Sequence, residues 1–134
     1  MKFYLDTSIW LDFLENRNEP NFPKGDLAKE LISKIINEDD KIIFSDNNAV
    51  ELKTIGYSDF EIEELFGTLP LIYVESTGKE IGKAKDLALK RNIPKRDALH
   101  ALIARDNNAL LITFDNHFNK LIDIVIPRNP REFI

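Results

Sequence analysis

Short apolar runs alternate along this chain with longer stretches whose apolar residues recur at helical spacing, and that alternation constrains the fold more than any other feature. Lys2-Phe3-Tyr4-Leu5 runs into Asp6, and Thr7-Ser8 opens the helical pattern Ile9, Trp10, Phe13, Leu14. After the breaker-rich segment Asn16 to Gly25, Leu27, Leu31, Ile32, Ile35 and Ile36 share a helical face, and Ile42-Ile43-Phe44 follows as a second strand. A third helix carries Ala49, Val50, Glu51 and Leu52, and Ser58-Asp59 reads as the cap of a fourth that runs to about Phe66, ahead of strand Leu71 to Val74. A basic helix spans roughly Gly78 to Lys90. Pro94 starts another that continues from Lys95 to Asp106, with Ala98, Leu99, Leu102 and Ile103 as its apolar face and Asn107-Asn108 at its end. Ala109 to Thr113 reads as a buried strand, Asp115 as the opening of a turn or short helix, and Ile124-Val125-Ile126 as a last strand before Pro127.

Strands separated by helices cannot form hairpins, because the connection between parallel neighbours is a crossover, most often helical. The pattern therefore predicts an α/β fold: a three-layer α/β/α sandwich around a central, mostly parallel sheet of four or five strands. A length of 134 residues fits one domain, 1–134. Ligands of open α/β sheets bind beyond the carboxyl ends of the strands, where strand order reverses, so chemistry is expected at that edge.

Composition removes several classes of function. The apolar runs fall far short of the ~20 residues of a membrane span. The N-terminus reaches Asp6 without the apolar stretch of a secretory signal, so a cytoplasmic protein is expected. With no cysteine, any metal must be held by oxygen or histidine. The net charge of −5 opposes non-specific nucleic-acid binding. Against it stands a run from Lys79 to Arg96 with seven basic residues and only Glu80 and Asp86 to balance them, which reads equally as a solvated helix face.

Four acids qualify for the carboxyl edge of the sheet. Asp6 ends the first strand and Asp115 follows the strand that begins at Ala109. Asp97 lies in the first turn of a helix that starts near that edge, and Glu51 sits early in the helix after the second strand. Each has an ordinary reading: a helix cap for Asp6, a helix-dipole partner for Asp97, an Asx-turn residue for Asp115, a solvated side chain for Glu51. Together they form an unfavourable cluster, since two like charges ~4 Å apart cost about 1 kcal/mol in water-like surroundings and several at an effective dielectric of ~20. Hard divalent cations such as Mg²⁺ or Mn²⁺ relieve that cost and suit phosphodiester hydrolysis.

The segments Tyr4-Leu5-Asp6-Thr7-Ser8, Asn48-Ala49-Val50-Glu51-Leu52, Pro94 to Ala101 and Leu111 to Phe118 resemble, in order and over nearly the whole chain, the acidic motifs of PIN-domain nucleases. That resemblance implies an α/β/α sandwich and Mg²⁺- or Mn²⁺-dependent endoribonuclease activity by direct attack of a metal-activated water. It implies metal-binding carboxylates at Asp6, Glu51, Asp97 and Asp115, with Thr113 as a hydroxyl partner. The stand-alone length looks like the VapC-type toxins of toxin–antitoxin pairs, which implies a homodimer and a cognate antitoxin. The alternatives are a catalytically silent PIN-fold RNA-binding or interaction module and, less favoured and of a different class, a phospho-acceptor receiver domain. The receiver lacks support because Asp6 stands alone after the first strand and Glu75-Ser76 follows Leu71 to Val74.

Among the remaining residues, Lys95 and Arg96 precede Asp97 and could hold phosphates. His100 and His117 each read first as packed or surface histidines; the second reading is a place at the site edge for His100 and contact with substrate for His117. Trp10, Phe13 and Leu14 read as core.

Overall fold

A computed structural model describes all residues, 1–134. The chain runs β1 (Lys2–Leu5), α1 (Thr7–Glu15), α2 (Lys24–Asn37), β2 (Lys41–Ser45), α3 (Asp46–Ile55), α4 (Asp59–Thr68), β3 (Leu71–Val74), α5 (Gly78–Arg91), α6 (Lys95–Asp106) and β4 (Leu110–Ile112). Two 3₁₀ turns, Asn116–Leu121 and Pro130–Phe133, complete it. The four strands form one sheet in the order β3-β2-β1-β4, and every pairing is parallel.

That order explains the layers. The chain steps in one direction from β1 to β2 to β3, then crosses back over two strands to place β4 on the far side of β1. Right-handed crossovers put the helices of opposite steps on opposite faces. Alternate strand residues follow suit. Phe3, Leu5, Ile42, Phe44 and Ile112 enter a core with Ile9 and Trp10 of α1, Leu31, Ile32 and Ile35 of α2, Leu52 of α3 and Leu65 of α4. Tyr4, Ile43 and Leu111 enter the other core, with Ala84 and Leu87 of α5, Leu99 and Leu102 of α6, and Phe118. Helix α6 is buried from Ala98 to Ala104, so its apolar surface encircles it instead of forming the single face expected.

Local signals set the boundaries. Ser45, Ser58 and Thr77 cap α3, α4 and α5 through reciprocal capping boxes with Asn48, Glu61 and Glu80. Asn16 and Asn92 close α1 and α5 in the left-handed conformation that asparagine tolerates.

The expected strand at Ile124 to Ile126 does not form. The backbone N–H groups of Ile124 and Val125 both turn back to the carbonyl of Leu121, and Pro127 has no N–H to give a ladder. The chain rejoins the sheet only at Arg128, which bridges Ile112. The sheet therefore has four strands, the lower of the two expected numbers.

Candidate active site

Strand order reverses between β1 and β4, and side chains from both strand ends meet there. Asp6 leaves β1 and caps α1: its Oδ1 accepts from the N–H of Ile9 at 3.0 Å and the Ser8 hydroxyl at 2.7 Å, while Oδ2 accepts from the Thr113 hydroxyl beyond β4. Its own N–H donates to the carbonyl of Ile112, so the residue is clamped to both strands. The Thr113 hydroxyl also accepts from the N–H of Asp115 at 2.9 Å, and Asp115 Oδ1 accepts from the N–H of His117 at 2.8 Å. Thr113 thus couples two carboxylates. Asp97, in the first turn of α6, is half-buried, and no hydrogen bond reaches its carboxylate.

Glu51 is placed by a closed ring of six side chains. The Thr7 hydroxyl donates to Glu51 Oε1 at 3.0 Å, and His100 Nε2 donates to the same oxygen. On its other side, His100 Nδ1 meets the Tyr4 hydroxyl and the Asn47 amide nitrogen. Tyr4 bonds Ser45 at 2.7 Å, Ser45 bonds Asn48 at 3.1 Å, and the Asn48 amide returns to Thr7 at 3.1 Å. An ionised Glu51 can only accept, so Nε2 carries the shared hydrogen, and Nδ1 is free to accept from the Asn47 amide. The ring ties β1, α1, β2, α3 and α6 together beneath the cleft.

Electrostatics separate the four acids. Burial raises the Asp6 carboxyl above its ordinary range, against hydrogen bonds from Thr113, Ser8 and Ile9. Asp97 is pushed up to about 6, first by burial and then by Asp115 and Asp6, with His100 and Arg96 opposing. Burial also acts upward on Glu51, but His100, Thr7 and Arg96 outweigh it and leave this carboxyl low.

All four predicted carboxylates line one cleft of about 680 Å³. Arg96 lines it too, with Nε 3.6 Å from Glu51 Oε2. Lys95 is exposed and does not line it. Lys79, Lys83, Lys85 and Lys90 point to solvent along α5, and Arg91 pairs with Asp123, so most of the basic run is a solvated helix face. His100 is packed, at 1% exposure, and also touches the site through Glu51. His117 lies in the cleft, where ligand atoms from Asp97, Asp115 and His117 fall within 4.8 Å of one another. Sequence reasoning missed Tyr4, Ser45 and Asn48: the Ser45–Asn48 capping box is a local signal for a helix start, but the bonds that carry the ring to Tyr4, Thr7 and His100 span 41 or more positions. Trp10 is core as expected, with its Nε1 buried and unpartnered.

A parallel α/β/α sandwich with clustered acids at its switch point defines a class, and the sequence places the chain within it. Residues 3–123 match the PIN domain, and the chain belongs to the PIN domain family. PIN domains are generally nucleases. No curated protein matches the sequence. Three solved structures share the fold. VapBC2 from Rickettsia felis, bound to a DNA fragment from their promoter, has a TM-score of 0.67 and 20% identity, over 96% of this chain and 98% of that one. A toxin–antitoxin complex from Klebsiella pneumoniae has a TM-score of 0.61 and 16% identity, over 96% and 97%. FitAcB from Neisseria gonorrhoeae has 0.60 and 18%, over 98% and 99%.

Proposed function

We propose that this chain is a metal-dependent endoribonuclease that hydrolyses RNA phosphodiester bonds, and that it is the toxin of a toxin–antitoxin pair. The observation that carries the reading is the convergence of Asp6, Glu51, Asp97 and Asp115, from four separate stretches of the chain, on one cleft. A divalent cation fits this donor set: it consists of hard oxygens, and the half-buried Asp97 carboxylate has no protein donor to offset its charge. Asp6, Asp97, Asp115 and Glu51 would hold Mg²⁺ or Mn²⁺, which would polarise the phosphoryl group and lower the pKa of the attacking water.

The protein's own groups prepare the rest. Thr113 fixes the spacing of Asp6 and Asp115 by donating to one and accepting from the backbone of the other. Thr7 and His100 hold Glu51 Oε1, which leaves Oε2 turned toward Arg96. The exposed guanidinium of Arg96 suits a phosphate at the rim, since Arg presents a planar fork of donors to phosphate oxygens. The toxin reading draws support from the solved relatives, two of which are described as a VapBC pair and a toxin–antitoxin complex. It brings with it a cognate antitoxin and a homodimer as expected partners.

The purified protein should cleave RNA with Mg²⁺ or Mn²⁺, stop in chelator, and lose at least about a hundredfold in rate in Asp97→Asn, a loss typical of a group that acts on the reacting centre. Unchanged cleavage in Asp97→Asn and Asp6→Asn, both folded by circular dichroism, would reject the site. No cleavage by the wild type while RNA still binds would favour the silent module. Growth arrest on expression, relieved by a small adjacent reading frame, tests the toxin role.

A further inference from the structure

We propose that His117 is a nitrogen ligand of the metal site, so that the cleft takes a transition-metal dication, Mn²⁺ ahead of Mg²⁺. The inference rests on the reading of the acidic cleft as a metal site, and it identifies the class of ion that site prefers.

Three observations lead to it. First, one ligand atom each from Asp97, Asp115 and His117 already lies within 4.8 Å of the other two. Around an ion bound at ~2.1 Å, adjacent ligands sit about 3 Å apart and opposite ones about 4.2 Å. His117 Nδ1 is 3.3 Å from Asp115 Oδ1, close to the adjacent spacing, and the largest separation needs a side-chain shift of under about an ångström to close.

Second, the carboxylates near His117 keep open oxygens: both of Asp97, and Oδ2 of Asp115. Both oxygens of Asp6 accept from protein donors, and Glu51 Oε1 accepts two. Asp97 accepts none, and Asp115 accepts only through Oδ1. The site therefore divides into a braced half, Asp6 with Glu51, and an open half, Asp97 with Asp115, and the imidazole belongs to the open half.

Third, His117 combines an anchored backbone with an exposed ring. Its N–H is held by Asp115, while its side chain is 68% exposed and pairs with nothing but that same carboxylate. A ring in that position can turn onto an ion without breaking a packed contact. Imidazole nitrogen suits first-row transition metals, whereas Mg²⁺ favours carboxylate and water oxygen, so one nitrogen in this donor set shifts selectivity toward Mn²⁺.

The chain has only two histidines, which makes the test direct. Mn²⁺ bound to the wild type should show ¹⁴N modulation in electron spin echo spectra, and His117→Gln, which replaces the nitrogen with an oxygen donor, should abolish it. By titration calorimetry, the ratio of Mn²⁺ to Mg²⁺ affinity should fall on the order of tenfold in the same variant. Mn²⁺ bound without nitrogen modulation, modulation retained in His117→Gln, or an unchanged affinity ratio would each overturn the assignment of His117 and leave the carboxylate site standing. Failure of the wild type to bind either ion would overturn both the assignment and the metal-site reading beneath it.

Discussion

His100 shows how little room a buried polar residue has. Its two ring nitrogens meet Tyr4 and Glu51, so replacing the ring strands partners on both sides. His100→Phe should cost about 1–3 kcal/mol of stability for the groups left unpaired and lower the cleavage rate on the order of ten- to a hundredfold through a misplaced Glu51. Thermal melts and single-turnover kinetics check the two parts separately. Thr113→Val keeps the shape but removes the hydroxyl shared by Asp6 and Asp115, and it should lower the rate with little change in KM. At this scale the sequence was uneven. Asp6 and Asp115 were legible because they end strands, and Asp97 because Pro94 marks a helix start. Glu51 rested on the family resemblance, since periodicity does not say which side of α3 faces a cleft. The reach of Tyr4 to His100 spans 96 positions and has no local trace.

Among the elements, the junction of α1 and α2 depends on one small residue. A Cβ at Gly25 would stand 2.7 Å from the Asn16 carbonyl carbon and 2.8 Å from the Arg17 nitrogen, both backbone atoms, and Gly25 also donates to the Arg17 carbonyl. Gly25→Ala should therefore destabilise the fold by about 1–3 kcal/mol, measured by denaturant unfolding, although most glycine-to-alanine changes in helices are favourable. The same scale shows where pattern reading stops. Helix starts at Ser58 and Thr77 carry capping chemistry and fall where expected, while the equally capped start at Ser45 was given no boundary by the pattern. Ile124 to Ile126 is apolar enough for a strand, but short apolar runs are ambiguous, and here the backbone closes on Leu121.

Taken whole, the protein carries a pH-dependent strain in its buried and half-buried acids. Asp97 and Asp12 are both raised to about 6, in each case mainly by burial, and Asp6 is raised as well. A folded state with raised carboxyl pKa values holds protons that the unfolded chain has released, so stability falls as pH climbs from about 4 to about 6. Glu51, lowered, acts in the opposite sense and loses its contribution as pH falls through its folded value. In chelator, the melting temperature should therefore drop across the window from about 4 to about 6. Asp97→Asn should flatten part of that slope and melt about 2–4 °C above wild type at pH 7, a modest shift because Asp97 is only half-buried. A variant that melts lower than wild type at pH 7 would show that the carboxylate is not a source of strain.

The crossover that sets β4 beside β1 also fixes when the acidic site can exist during folding. Asp6 and Thr113, 107 positions apart, meet only once the final strand has slotted into the sheet. Until then a partly folded chain holds Asp6 and Glu51 without Asp115, and Asp6 without the threonine that orients it. The four carboxylates therefore share one cleft only in a chain whose β4 is docked against β1.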